Sequence, residues 1–183
     1  MKFAVPFLFV AGAAFADCPP AKDYSSELGG LLEAARAAEN DMAGREISGE
    51  MWQVWLRAPD EAAQSLLDQG LRKRESYDYL NARSTFDKLV AYCPDYAEGY
   101  NQRAFIAYLT QDFDAALADL DKTLSINADH VGAQAGRALT LLELGRLDEA
   151  RKQLIAALAN NPWLSERFLM ADGGPLALAG EDI

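Results

Sequence analysis

The residues that could do chemistry in this chain are few and scattered. His130 is the lone histidine. It stands beside Asp129 with no second imidazole to complete a transition-metal site, so it reads as a polar residue of a turn between helices. Cys18 and Cys93 are the two cysteines. Neither belongs to a CxxC pair, and Cys93 sits against Pro94, which gives no redox motif. Asp112, Asp114, Asp119 and Asp121 follow helical surface spacing rather than that of a calcium loop and read as a solvated face. Arg72-Lys73-Arg74 is too short for a nucleic-acid patch in a chain with 28 acidic and 17 basic residues. The formal charge of −11 would repel a phosphate backbone. Trp52 and Trp55, three apart, suit a packed interior better than a ligand cage. No acid and base can be paired with a nucleophile, so no catalytic residue, metal site or cofactor is expected, and the chain does not read as an enzyme.

The elements that would carry these residues are helical. Ala and Leu number 58 against 14 for Val, Ile and Thr together, a balance that favours helix over sheet. A period of 34 residues organises them, with Pro94 and Pro162 two periods apart and Ala128 midway. Starts at Ala63, Ala97 and Val131 superimpose without gaps. Small residues recur at the eighth position (Gly70, Ala104, Ala138) and the twentieth (Ala82, Ala116, Ala150). Large apolar ones recur at the seventeenth (Tyr79, Phe113, Leu147) and the twenty-fourth (Phe86, Leu120, Leu154). Each unit then holds two helices, predicted at 63 to 75 and 79 to 92, 97 to 110 and 113 to 126, and 131 to 144 and 147 to 160. Small residues belong where paired helices approach most closely, since a larger side chain would overpack the contact by about 1 to 3 kcal/mol.

These columns resemble the tetratricopeptide repeat over three units, 63–96, 97–130 and 131–164. The chain departs from that pattern at Gly70, where alanine is usual, at Gln134, where a large apolar residue is usual, and at Ala128, where proline is. The resemblance implies an all-α helical-hairpin solenoid. Upstream, a start at Gly29 places Trp52 at the twenty-fourth position and Trp55 at the twenty-seventh, while Arg36 replaces the small eighth residue. Residues 17–62 are therefore read as a leader followed by a degenerate helix pair, near 25 to 40 and 42 to 57, capping the N-terminal end of the stack. Downstream, a short helix near 162 to 171, with Phe168 continuing the fourth-position column, should close the far end, so that 165–183 holds the end of this capping helix and the tail.

In such stacks the first helix of each pair lines the concave surface. The resemblance places Gln64, Leu67, Leu71, Arg74 and Glu75 there, then Glu98, Asn101, Phe105, Tyr108 and Leu109, then Gly132, Ala135, Leu139, Leu142 and Glu143. The peptide-binding candidates among them are Arg74, Glu98, Asn101, Phe105, Tyr108, Leu142 and Glu143. An asparagine can serve a peptide's backbone groups irrespective of sequence, and aromatics supply contact area. Phe105 and Leu139 are equally well read as packing between pairs. The lysine and asparagine pattern with which chaperone-binding members grip a C-terminal carboxylate is absent.

Residues 1–16 carry Lys2, an apolar run from Phe3 to Phe15 and small residues Ala14 and Ala16, the pattern of a cleaved secretory signal. The run is too short to span a bilayer, and no integral membrane segment is expected after cleavage. In an oxidising compartment Cys18 and Cys93 either pair or remain two free thiols. Glu46-Ile47 with Trp52 and Trp55, the run from Glu98 to Ala104 and His130-Val131-Gly132-Ala133 are similar to exported tetratricopeptide-repeat proteins of Gram-negative bacteria. The expected role is a periplasmic scaffold or assembly factor that binds a protein or extended peptide. A self-associating structural repeat is the alternative.

Overall fold

The computed structural model describes residues 17–177; residues 1–16, which carry the secretory-signal reading, and 178–183 of the tail lie outside the described part. Among the described residues the chain forms eight α-helices, one 3₁₀ helix and no strand. The helices are α1 Ser25–Ala37, α2 Asp41–Trp55, α3 Glu61–Glu75, α4 Tyr79–Tyr92, α5 Ala97–Leu109, α6 Phe113–Ile126, α7 Val131–Glu143 and α8 Leu147–Asn160. None is long and apolar enough to cross a membrane.

Local chemistry sets these boundaries. The side chains of Asp60, Asp78 and Asp112 accept hydrogen bonds from the backbone N–H groups of Ala63, Asn81 and Ala115, capping α3, α4 and α6. The turns within α3–α4, α5–α6 and α7–α8 use one backbone state: Tyr77, Gln111 and Gly145, each the fifteenth residue of its unit, have φ of 62°, 61° and 71°. The following amides of Asp78, Asp112 and Arg146 each bond back five residues, to the carbonyls of Lys73, Ala107 and Leu141. This closes the last turn in the manner of a Schellman motif, which favours glycine. Tyr77 and Gln111 therefore hold a conformation that costs an L-residue about 1 to 2 kcal/mol.

α3 to α8 stack as three consecutive antiparallel pairs, α4 against α5 and α6 against α7 joining them. The small columns lie at the helix crossings: Ala82, Ala116 and Ala150 are fully buried, as is Ala138. The departure at Gly70 has a partner. A Cβ on Gly70 would collide with the ring of Phe86, the buried aromatic that stands where the other units have leucine. Gln134 and Ala128 answer one another similarly, because Gln134 Nε2 donates to the Ala128 carbonyl at 2.7 Å while Gln134 Oε1 accepts from Asn160. Arg103 pairs with Asp119 and Asp87, and Arg137 with Asp121, so two of the carboxylates read as a solvated face, Asp119 and Asp121, cross-link neighbouring helices instead.

The far end differs from expectation. Residues 161 to 164 form a turn in which Asn161 Oδ1 accepts from Trp163 N–H, and only the 3₁₀ helix Ser165–Met170 follows. Leu169 and Leu176, not Phe168, pack onto the last pair, and Phe168 is exposed. Leu147 of the seventeenth-position column is 44% exposed because no further described pair covers it.

The largest correction concerns α1 and α2. Their burial places the register one residue earlier than read from sequence: Ala35 and Met51, rather than Arg36 and Trp52, are the fully buried pair. Counting from Leu28 puts them at the eighth and twenty-fourth positions and Pro59 at the thirty-second. Nor does the hairpin cap the first unit. It lies along the concave edge of the stack, where each unit passes to the next. Trp55 and Met51 cluster with Val131, Trp52 closes over Gly132, and α1 approaches α8.

Candidate interaction surface

α2 runs the length of the concave edge. At its C-terminal end the Trp55 carbonyl accepts a 2.7 Å bond from the Tyr96 hydroxyl, between the first and second units. There too the Trp55 ring stacks on His130 at 3.9 Å, and a turn earlier a Cβ on Gly132 would come within 2.8 Å of Trp52 Cζ2. At the N-terminal end Asn161 Nδ2 donates to Ser48 Oγ at 2.8 Å and Arg167 pairs with Asp41 at 2.8 Å. Trp163 occupies the space left by Gly44 and donates from Nε1 to the Ala35 carbonyl at 3.0 Å. Cys18 and Cys93 form a disulfide with 5.2 Å between Cα atoms, so the leader before α1 is tied to the end of α4.

Beneath the tryptophans lies a closed polar cluster. The Glu98 carboxylate, fully buried, accepts from Asn101 Nδ2 at 3.1 Å, from Gln102 Nε2 and from His130 Nε2 at 2.9 Å. His130 Nδ1 accepts the Ala133 backbone N–H at 3.2 Å, which assigns the ring proton to Nε2. The histidine thus caps α7 and neighbours a carboxylate at once. Arg74 Nη1 donates to Gln102 Oε1 at 2.6 Å and its guanidinium lies over the Phe105 ring at 5.4 Å. Burial, reinforced by Glu98, pushes the Tyr96 hydroxyl far above its ordinary range, so it remains a donor.

The groove residues named from sequence therefore divide. Glu98 and Asn101 point inward, yet the hairpin and their mutual bonds use them up. Leu67 is in the core of the first unit, and Leu142 packs against that of the third. Phe105 is 45% exposed and available. Tyr108 reaches toward the Glu143 carboxylate at 3.5 Å, and its hydroxyl is pushed upward by burial and by Glu143. Two of the clefts that border α2 reach Phe105. One, of about 550 Å³, is walled by Trp52, Phe105, Val131, Ala135 and Leu139 and closed at the end by the 161–168 segment. The other, of about 460 Å³, adjoins it through Trp52 and Phe105 and reaches Leu71 and Arg74. Sequence reading missed Ser48, Asn161 and Trp163; the available signal was glycine at 44 and 132 within helices, where nothing local requires it.

The family model described as Tetratricopeptide repeat matches residues 107–163. Over that segment the chain is similar to the tetratricopeptide-repeat family, and its fold is that of a tetratricopeptide-repeat solenoid. Among curated relatives it is similar to "Tetratricopeptide repeat protein 36" of Xenopus tropicalis, 36% identical over 118 residues, 62% of this chain and 58% of that one. It is 38% identical over 70 residues to "Tetratricopeptide repeat protein 36 homolog" of Nematostella vectensis, covering 38% of each. The chain thus spans less than two thirds of the length of these relatives. Among solved structures, tetratricopeptide-repeat folds are similar at 21 to 22% identity. The first repeat domain of Spaghetti (RPAP3), bound to the HSP90 peptide SRMEEVD, gives a TM-score of 0.56 over 57% of this chain and 82% of that one. The TPR2B domain of yeast Sti1, in complex with an Hsp70 peptide (pHsp70), gives 0.55 over 62% and 90%.

Proposed function

We propose that this protein is a non-enzymatic interaction module that binds an apolar segment of a partner protein in the cleft between α2 and the helices α5 and α7. The observation that carries this is the open wall of Trp52, Phe105, Ala135 and Leu139 on the concave side of a repeat stack. Large side chains left partly in water beside a preformed recess are the usual anchors of protein recognition. Peptides are what the two solved neighbours hold. The reading includes removal of residues 1–16, action in the periplasm and a scaffold or assembly role. The apolar leader supports it, and so does the Cys18–Cys93 disulfide, since such bonds persist in oxidising compartments.

The test is parallel capture from an envelope extract with the wild-type protein and a Phe105→Ala/Leu139→Ala variant. Partners retained by the first and lost by the second support the cleft. Identical partner sets would remove it. Fractionation of the producing cell tests the address: protein released with the periplasm supports it, and protein held in the cytosol does not.

A further inference from the structure

The α1–α2 hairpin is built differently from the pairs it touches. Both its legs are anchored at the first repeat, one by the Cys18–Cys93 disulfide and the other by the short connection from Leu56 to Asp60 into α3. Its far end, 35 to 48, is held two repeats away by Trp163, Asn161 and Arg167. Between anchors and tip, the apolar cluster of Leu32, Ala35, Met51 and Trp55 takes a single buried residue, Val131, from the stack. The contact is also incomplete, since Trp55 Nε1 is buried without a hydrogen-bond partner. That donor recovers water when the hairpin swings away, which makes the closed state less favourable than its buried area suggests.

We propose that the concave edge formed by Tyr96, His130, Val131, Gly132 and Asn161 is a docking surface for an amphipathic helix, that α2 is its resident occupant, and that the hairpin is a flap hinged at the first repeat. The occupant chemistry is read from α2 itself. One face carries small residues, Gly44 and Ser48, that admit Trp163 and Asn161. The next two turns carry Trp52 and Trp55, which cover Gly132 and His130. A partner helix with two small residues a turn apart followed by two aromatics three apart fits the same surface once the flap opens. This surface lies under α2 and shares Val131, Gly132 and Asn161 with the lining of the Phe105–Leu139 cleft, but Phe105→Ala/Leu139→Ala leaves those shared residues in place, so failure of one proposal is distinguishable from failure of the other.

The experiment uses the full chain and a fluorescent peptide of residues 41–57 as the probe. Trp163→Ala removes the tip clasp, and Gly44→Leu displaces Trp163 while keeping it. Hydrogen exchange over 25–55 is expected to rise at least about tenfold in both variants while α3 to α6 keep their protection. The peptide should bind both variants at least about tenfold more tightly than wild type, and a peptide with both tryptophans replaced by alanine should not. A hairpin that opens without peptide binding overturns the docking surface. Loss of protection in all helices together, or in none, overturns the flap.

Discussion

The three repeats and the N-terminal hairpin are all antiparallel helix pairs, yet they are held by different means. In α3 to α8 the joints are helix crossings closed by alanine or glycine against leucine or phenylalanine, repeated every 34 residues. The hairpin meets the stack through individual side chains: a tryptophan over a glycine, an indole N–H to a carbonyl, one histidine ring under another indole. Repeated crossings distribute stability along the array, whereas a few isolated contacts concentrate it at the points that can be released.

Breaking that contrast should give graded effects. Reduction of Cys18–Cys93 frees one leg of the hairpin and reopens a loop of 75 residues. The chain-entropy estimate for such a loop is about 4 kcal/mol. Denaturant unfolding of oxidised and reduced protein checks it, and a loss under about 1 kcal/mol would show that the leader does little to restrain the hairpin. Glu98→Ala strands three donors, on Asn101, Gln102 and His130, in the buried joint. It should cost at least about 3 kcal/mol by the same measurement. Gly70→Ala forces Phe86 from its place within a repeat and should cost about 1 to 3 kcal/mol. Replacing the two together as Gly70→Ala/Phe86→Leu, the combination of the other units, should restore most of it. The smallest of these effects belongs to Leu147→Ala, expected under about 1 kcal/mol because nearly half of its surface is already in water.

Gln111→Gly sharpens the contrast by separating backbone from packing. Relief of the positive φ and the added freedom of the unfolded chain nearly offset one another, so the change in midpoint should be small. Gly145→Ala, in the same state at the third turn, is expected to destabilise by about 1 kcal/mol.

Much of the stack was legible in sequence because its determinants are local and periodic. The size alternation at the eighth, twentieth and twenty-fourth positions reports contacts between neighbours in the chain, and the helices fall within two residues of their predicted ends. The hairpin was not legible for the complementary reason. Its position is decided by contacts such as Trp163 with Ala35, 128 residues apart, and Asn161 with Ser48, 113 apart. Two adjacent tryptophan and methionine residues left the register ambiguous by one, and only burial resolves it in favour of Met51. The groove candidates show the same division. Inward direction at Glu98, Asn101 and Phe105 follows from repeat position, but which of them stays accessible depends on where α2 lies. Pairing of the cysteines was open for want of any local signal.

The arrangement of the hairpin on the concave edge is tested most directly by nuclear Overhauser contacts from the Trp163 indole in solution. Cross-peaks to Gly44 Hα and to the Ala35 methyl are predicted, together with contacts between the Trp55 and His130 rings. A Trp163 indole without contacts to α1 or α2, with α1 and α2 showing contacts to α3 instead, would contradict it and return the hairpin to the end of the stack.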